Sequence, residues 1–209
     1  MANDYCSSSD IKAQLPEDYI YSSTDYDPML DDLCTKASRF VDREVGYWPG
    51  FFYPTTDSET RYYDGNNEQE IDIDPMVTFT SLAVSEEGSY SSSDYTTWTE
   101  NTDFYTWPYN ASALGEPIRR FIIDWNGNKL NFTRFKKALK VTGIFGYSAS
   151  VPEIIQQVCI VQVMRWYMRA KQGYADSGAN PEIGQMTYVK RLDPDIKEML
   201  NSFMLDNAI

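Results

Sequence analysis

LKVTGIFGYSASVPEIIQQVCIVQVMRWYMR, residues 139–169, changes its hydrophobic period in the middle, and that change decides the fold. Leu139 to Phe145 reads as a short strand closed by a glycine. Gly143 and Gly146 then allow a sharp turn, and Pro152 stands where helix starts tolerate proline. From there Ile154, Ile155, Val158, Cys159, Val161, Gln162, Arg165, Trp166 and Arg169 recur at helical spacing towards Gly173. About 20 residues at 1.5 Å each span roughly 30 Å, a full domain diameter.

Upstream, residues 51–147 read as short strands between turns. Thr60-Arg61-Tyr62-Tyr63 precedes the turn Asp64-Gly65-Asn66-Asn67. Glu70-Ile71-Asp72-Ile73-Asp74 alternates polar and apolar, and residues 77–84 continue with β-branched side chains. Further turns fall at Glu86-Glu87-Gly88 and Ser91-Ser92-Ser93, and further strands at 95–98, 104–107 and 121–125. Such spacing predicts a small antiparallel β-sandwich or barrel-like module.

Helical signals flank this module. Ser8, Ser9 or Asp10 can cap a short helix that Pro16 stops. Asp27-Pro28 is a cap-plus-proline start, and Leu30, Leu33, Cys34, Ala37, Phe40, Val41 and Val45 form one stripe ended by Gly46 and Pro49. A Gly/Ala/Asn/Pro-rich loop covers 173–184. Asp193-Pro194-Asp195 then opens a terminal helix whose stripe is Ile196, Met199, Leu200, Phe203 and Met204. Being short and terminal, that helix is expected to find few partners in its own chain. The fold class is therefore α+β, a helical bundle with an inserted β-module. N-terminal helices occupy 1–50, the module 51–147, and the long and terminal helices 148–209.

Composition excludes several activities. The 209 residues hold 31 acids, 18 bases and no histidine. His-based triads, His-ligated metals and imidazole acid–base chemistry are impossible. A net charge of −13 argues against a general nucleic-acid binder. Cys6, Cys34 and Cys159 contain no CxxC pair and read as small buried hydrophobes of a reducing cytoplasm. MANDYCSSSD lacks the basic and apolar regions of a signal peptide, and no apolar run approaches a membrane span.

The candidate constellations are few. Asp72/Asp74, Glu86/Glu87 and Asp193/Asp195 are paired carboxylates with nothing to set them across a cleft. Asp64 to Glu68 lacks calcium-loop spacing. Tyr90, Tyr95, Trp98, Phe104, Tyr105, Trp107 and Tyr109 crowd one segment, and such aromatics build small cores, protein interfaces or sugar-stacking platforms. Arg119, Arg120, Lys129, Arg134, Lys136, Lys137 and Lys140 form a basic run among Phe121, Phe132 and Phe135. Charge is also split along the chain. Residues 1–110 carry 22 acids and 5 bases, and the remainder 9 acids and 13 bases. An assembly component with two electrostatic faces would show that polarity.

Val141-Thr142-Gly143-Ile144-Phe145-Gly146-Tyr147, followed by Val151-Pro152-Glu153-Ile154-Ile155, resembles the "VTG-x-[FW]-G-[WYF]…VP-x-x-I" segment of tailed-phage head–tail connector proteins, or adaptors. ASRFVDREVG (37–46) is similar to that family's "AS-x-x-ID" helix. ETRYYDG (59–65) and IDIDPMVTFTSLAVSEEG (71–88) resemble the strand, Asp-Gly turn and following strand of its longer, β-inserted members. The likeness covers most of 7–172.

The resemblance implies a structural virion protein with no active site and no cofactor. It is assembled in the host cytoplasm and placed in the neck at the head–tail interface. Such adaptors form a ring, about twelve copies closed head to tail, beneath the portal protein. The ring extends the DNA channel and docks stopper or tail proteins. Ile196, Met199, Leu200 and Phe203 become candidates for a helix laid on the portal. Arg119, Arg120, Lys136, Lys137, Arg165 and Arg169 become candidates for pairing with a neighbour's acidic part, and Trp98 and Trp107 for the tail-side surface. An acidic channel wall would let DNA pass without sequence-specific binding. The main alternative is a carbohydrate- or receptor-binding module of a phage tail that uses the 90–109 aromatics.

Overall fold

The computed structural model describes residues 3–14, 24–85, 94–171, 177–180, 185–188 and 194–204. The chain divides into two compact units, one of Ala2–Phe52 with Val151–Ile209 and one spanning Tyr53–Ser150. Helices and an antiparallel sheet are both present, so the class is α+β.

The first unit is helical. Helix α1 (Ser8–Gln14) begins with a capping box. The Ser7 Oγ accepts from the Asp10 amide at 3.4 Å, and the Asp10 carboxylate accepts from the Ser7 amide at 2.8 Å. The cap is thus Ser7, one residue before the three candidates read from sequence. Helix α2 (Asp27–Val45) follows a 3₁₀ turn at Thr24–Tyr26, so Tyr26, with no capping side chain, takes the place expected of Asp27. Instead, the Asp27 carboxylate pairs with Lys12. Gly46, at φ 85°, ends α2 by donating to the Asp42 and Arg43 carbonyls. Helix α4 (Glu153–Lys171) packs on α2, and Leu30, Ala37, Val41, Ile155, Val158 and Val163 are buried in this unit. Each such side chain is worth about 1.5–3 kcal/mol removed from water. Cys6, Cys34 and Cys159 are free and buried. The Cys6 thiol lies against both others, and contact within the cluster together with burial raises Cys6 and Cys34 above the ordinary thiol range.

Helix α5 (Pro194–Asn201) corrects one expectation. Ile196 and Leu200 are fully buried, α5 packs on α4, and the Phe203 ring meets Phe52 edge-to-face at 5.4 Å. Ample apolar surface in its own unit receives this helix. Part of the expected 173–184 loop also differs, because β7 (Ser177–Asn180) pairs antiparallel with β8 (Gln185–Tyr188). The other residues of that loop, and Asp193, lie outside the described residues.

The second unit is one open sheet, not a sandwich or closed barrel. It contains β1 (Glu59–Tyr63), β2 (Glu70–Ser85), β3 (Tyr95–Trp98), β4 (Phe104–Trp107), β5 (Ile118–Ile123) and β6 (Leu139–Phe145). The order is β1-β6-β2-β5-β4, with β3 also on β2, and every strand pair is antiparallel. The reason is the length of β2. Its register shifts between Asp72 and Met76 and again further on, and Pro75 sits in the first irregularity, where a strand tolerates proline. One bent 16-residue strand therefore collects partners that two sheets would have shared. A four-residue helix, α3 (Ala111–Leu114), was not foreseen.

Gly143 lies inside β6 and makes no turn. A Cβ there would stand 2.3 Å from the Thr78 carbonyl oxygen and 2.6 Å from the Met76 side chain, so glycine permits the close approach of β2 to β6. The sheet's inner face buries Phe104, Phe121, Met76, Leu82, Leu139 and Val141. Phe79, Phe104 and Phe121 meet edge-to-face at 5.2–5.6 Å.

Candidate interaction surfaces

Alternation along β4 and β5 places Tyr105 and Trp107 on the outer face with Arg120 and Ile122, opposite the buried Phe104, Phe121 and Ile123. Arg120 is the centre of that face. Its Nε donates to Asp72 at 2.6 Å, another nitrogen donates to Glu70 at 2.8 Å, and the guanidinium lies 5.5 Å from the Trp107 ring. The hydrogen bond that Arg120 donates to Asp72 raises the guanidinium pKa further above its already high value. Arg119 points the other way and is exposed. Lys136 pairs with Asp64 at 2.6 Å, and the Lys137 amide donates to the same carboxylate at 2.8 Å, which lowers the Asp64 pKa. The Lys137 ammonium stands 5.9 Å from the Tyr62 ring. Three of the six cations proposed from sequence to meet a neighbour thus already meet acids or an aromatic ring of their own sheet. Each exposed pair is worth about 0–1 kcal/mol.

The two tryptophans separate. Trp98 is buried, stacked on Phe132 at 5.4 Å with the Lys129 ammonium 5.2 Å from its ring. Trp107 is 39% exposed. Tyr109 and Trp125 are exposed as well, Trp125 at 81%. Tyr90 lies outside the described residues. A sugar platform spanning the whole aromatic segment therefore loses Trp98 to the core.

Of the carboxylate pairs, Asp72 is held by Arg120, and Asp74 accepts from Arg61 at 2.8 Å and from the Tyr63 hydroxyl at 2.9 Å. Burial, with Asp74 alongside, raises the Tyr63 pKa. Both carboxylates are engaged in sheet contacts. Among the described residues no cluster of three or more Cys, Asp or Glu is arranged to hold a metal ion.

In the helical unit, Ile196 and Leu200 face the interior, whereas Met199 is exposed and Phe203 half-buried. Arg165 and Arg169 are half-buried on α4. A surface not singled out from sequence lies beside them. Lys36, Arg39 and Arg43, at i, i+3 and i+7 of α2, border a depression of about 370 Å³ floored by Phe40 and Trp166. Those two rings meet edge-to-face at 5.7 Å. A second depression of about 510 Å³ shares Lys36 and Trp166 with the first and extends to Met29 and Arg169. The missed signal was local: residues 1–110 contain only five bases, and three of them sit on this one stripe.

These features define an α+β protein with exposed aromatic and cationic side chains, built on a helical unit and an open antiparallel sheet. A chain of the solved virion of the native gene transfer agent (GTA) particle shares the fold with a TM-score of 0.53 at 13% identity, over 96% of this chain and 90% of that one. No protein-family model matches the sequence, and no curated protein matches it. No helix among the described residues is long and apolar enough to cross a membrane.

Proposed function

We propose that this chain is a structural virion protein, a head–tail adaptor whose copies form a ring beneath the portal. The observation that carries the reading is the whole-length fold likeness to a chain of a GTA virion particle. The ordered motifs from ASRFVDREVG to VPEII point the same way. In this reading the protein works by connection, not catalysis. The ring, of about twelve copies, extends the DNA channel, meets the portal on one side and stopper or tail proteins on the other. Its acidic surface repels the passing DNA backbone. It occupies the virion neck after assembly in the host cytoplasm.

Contact with the portal through α5 has to use Met199 and the outer side of the helix, because Ile196 and Leu200 serve its own core. Removing 193–209 would therefore open that core as well as any docking surface. Met199→Glu is the cleaner probe: it should leave folding intact and weaken portal capture. The whole reading is tested by electron microscopy of particle necks with an epitope tag on this chain. Ring-shaped labelling between capsid and tail supports it. Labelling at the tail tip, or none on the particle, refutes it.

A further inference from the structure

We propose that the cationic, aromatic-floored depression between α2 and α4 receives an acidic surface of a second copy of this chain. Lys36 and Arg43 are 61% and 67% exposed beside the Phe40 and Trp166 rings, while Arg39 closes the floor between them. The Arg43 guanidinium also lies 5.5 Å from the Phe40 ring, so the floor and its rim are one surface. Each of the three cations has one acid of its own copy beside it, and none of those acids lines the depression. Asp32 pairs with Lys36 at 2.5 Å, Glu44 approaches Arg43 at 3.7 Å, and Asp42 takes Arg39 from the buried side. An occupant with carboxylates around an apolar anchor fits both rim and floor.

Charge identifies the occupant. The other two bases among residues 1–110 lie elsewhere, Lys12 against Asp27 and Arg61 against Glu59 and Asp74. The rest of that part is acidic, and the whole chain carries −13. A second copy therefore brings the required charge at the highest local concentration. Duplex DNA would meet one short cationic stripe and repulsion elsewhere. A groove that takes a different surface of the next copy makes a heterologous contact, the kind that closes into rings. The inference deepens the ring reading by naming its receiving surface, yet it is testable without any particle.

The experiment mixes isotopically light and heavy full-length chains at high concentration and treats them with a zero-length carbodiimide, which joins amines to carboxylates. Cross-linked peptides of mixed isotope report contacts between copies. We expect Lys36 to dominate them, with Lys136 and Lys197 as exposed internal controls. Arg43→Glu should cut the mixed Lys36 products by roughly tenfold, whereas Arg43→Lys should retain them. The inference is overturned if Lys36 joins only carboxylates of its own copy, if the three lysines give equal yields, or if Arg43→Glu changes nothing. Should these tests succeed while the chain is absent from particle necks, the groove stands and the adaptor reading falls. A neck ring that assembles normally with Arg43→Glu sinks the groove alone.

Discussion

Replacing Tyr5 by phenylalanine deletes one oxygen, and two buried partners depend on it. The Tyr5 hydroxyl donates to Asp42 Oδ1 and accepts from the Phe52 amide at 3.1 Å. Asp42 also accepts from the Gly50 amide at 2.9 Å and pairs with Arg39 at 3.1 Å. Tyr5 and Asp42 are 1% and 2% exposed, so water cannot replace the lost contacts. Leaving the Phe52 N–H unsatisfied costs about 1–3 kcal/mol, and losing a donor to a carboxylate costs a similar amount. The ring keeps its edge-to-face contact with Phe52 at 5.8 Å and its place under Arg39, so packing is little changed. Together these give a loss of about 2–6 kcal/mol, large against a typical total of about 5–15 kcal/mol. Urea unfolding followed by helical circular dichroism should show the midpoint fall by roughly 1 M. Hydrogen exchange at Phe52 and Gly50 should accelerate before the rest of the unit. With Asp42→Asn, a double-mutant cycle should give a coupling of at least about 0.5 kcal/mol. A loss below about 0.5 kcal/mol, with Phe52 still protected, would refute the network as a stabilising element.

Two carboxylates in the helical unit should respond to pH with opposite signs. Hydrogen bonds from Ser7 lower the Asp10 pKa from 3.8, so its contribution is present above that value and fades as pH falls through the lowered one; Asp10→Asn should remove this acid-side loss in pH-dependent unfolding. Burial raises the Asp42 pKa above 3.8, so the folded state holds that proton longer than the unfolded chain, and the stability gap between wild type and Asp42→Asn should shrink as pH rises out of the carboxylate range. Gly143→Ala forces a Cβ against the Thr78 carbonyl and should cost about 1–3 kcal/mol in thermal unfolding of the sheet, with no cost expected only if β2 can shift aside. Trp98→Ala should cost about 3–5 kcal/mol because the ring is core, whereas Trp107→Ala should leave stability almost unchanged. Only the second variant can therefore report a surface role, and equal destabilisation by both would contradict the burial difference.

What the sequence revealed and what it hid divide by range. The α2 stripe was legible because Leu30, Cys34, Ala37, Val41 and Val45 repeat within one helix, where period alone locates the buried face. Ser38 and Asp42 share that face and were not legible. Their reasons for burial lie more than 30 residues away, in the Tyr5 amide and hydroxyl. The alternation over 70–74 and its continuation over 77–84 are legible in β2, but the irregularity around Pro75 emerges only from the pairing with β5 and β6. Trp98 gave no sign of its depth, since its stacking partner Phe132 is remote in sequence. Ile196 and Leu200 were correctly grouped as one stripe, but a stripe does not say what covers it.

The charge split acquires a different meaning in the two units. In the sheet, Arg120 and Lys136 of the basic second part lie beside Glu70, Asp72 and Asp64 of the acidic first part, so much of the polarity along the sequence is neutralised inside one copy. In the helical unit the cations also have acids beside them, but along α2 Asp27, Asp31 and Asp32 lie near the start, and Lys36, Arg39 and Arg43 follow with Asp42 and Glu44 among them. That order runs with the helix dipole, which favours acids at the N-terminus and bases at the C-terminus, so it costs the fold nothing to keep. Lys36 and Arg43 stay more than half exposed around the Phe40 and Trp166 rings. In the proposed contact between copies, the polarity that matters is the one along α2, and its C-terminal half beside Trp166 is where a neighbour is sought.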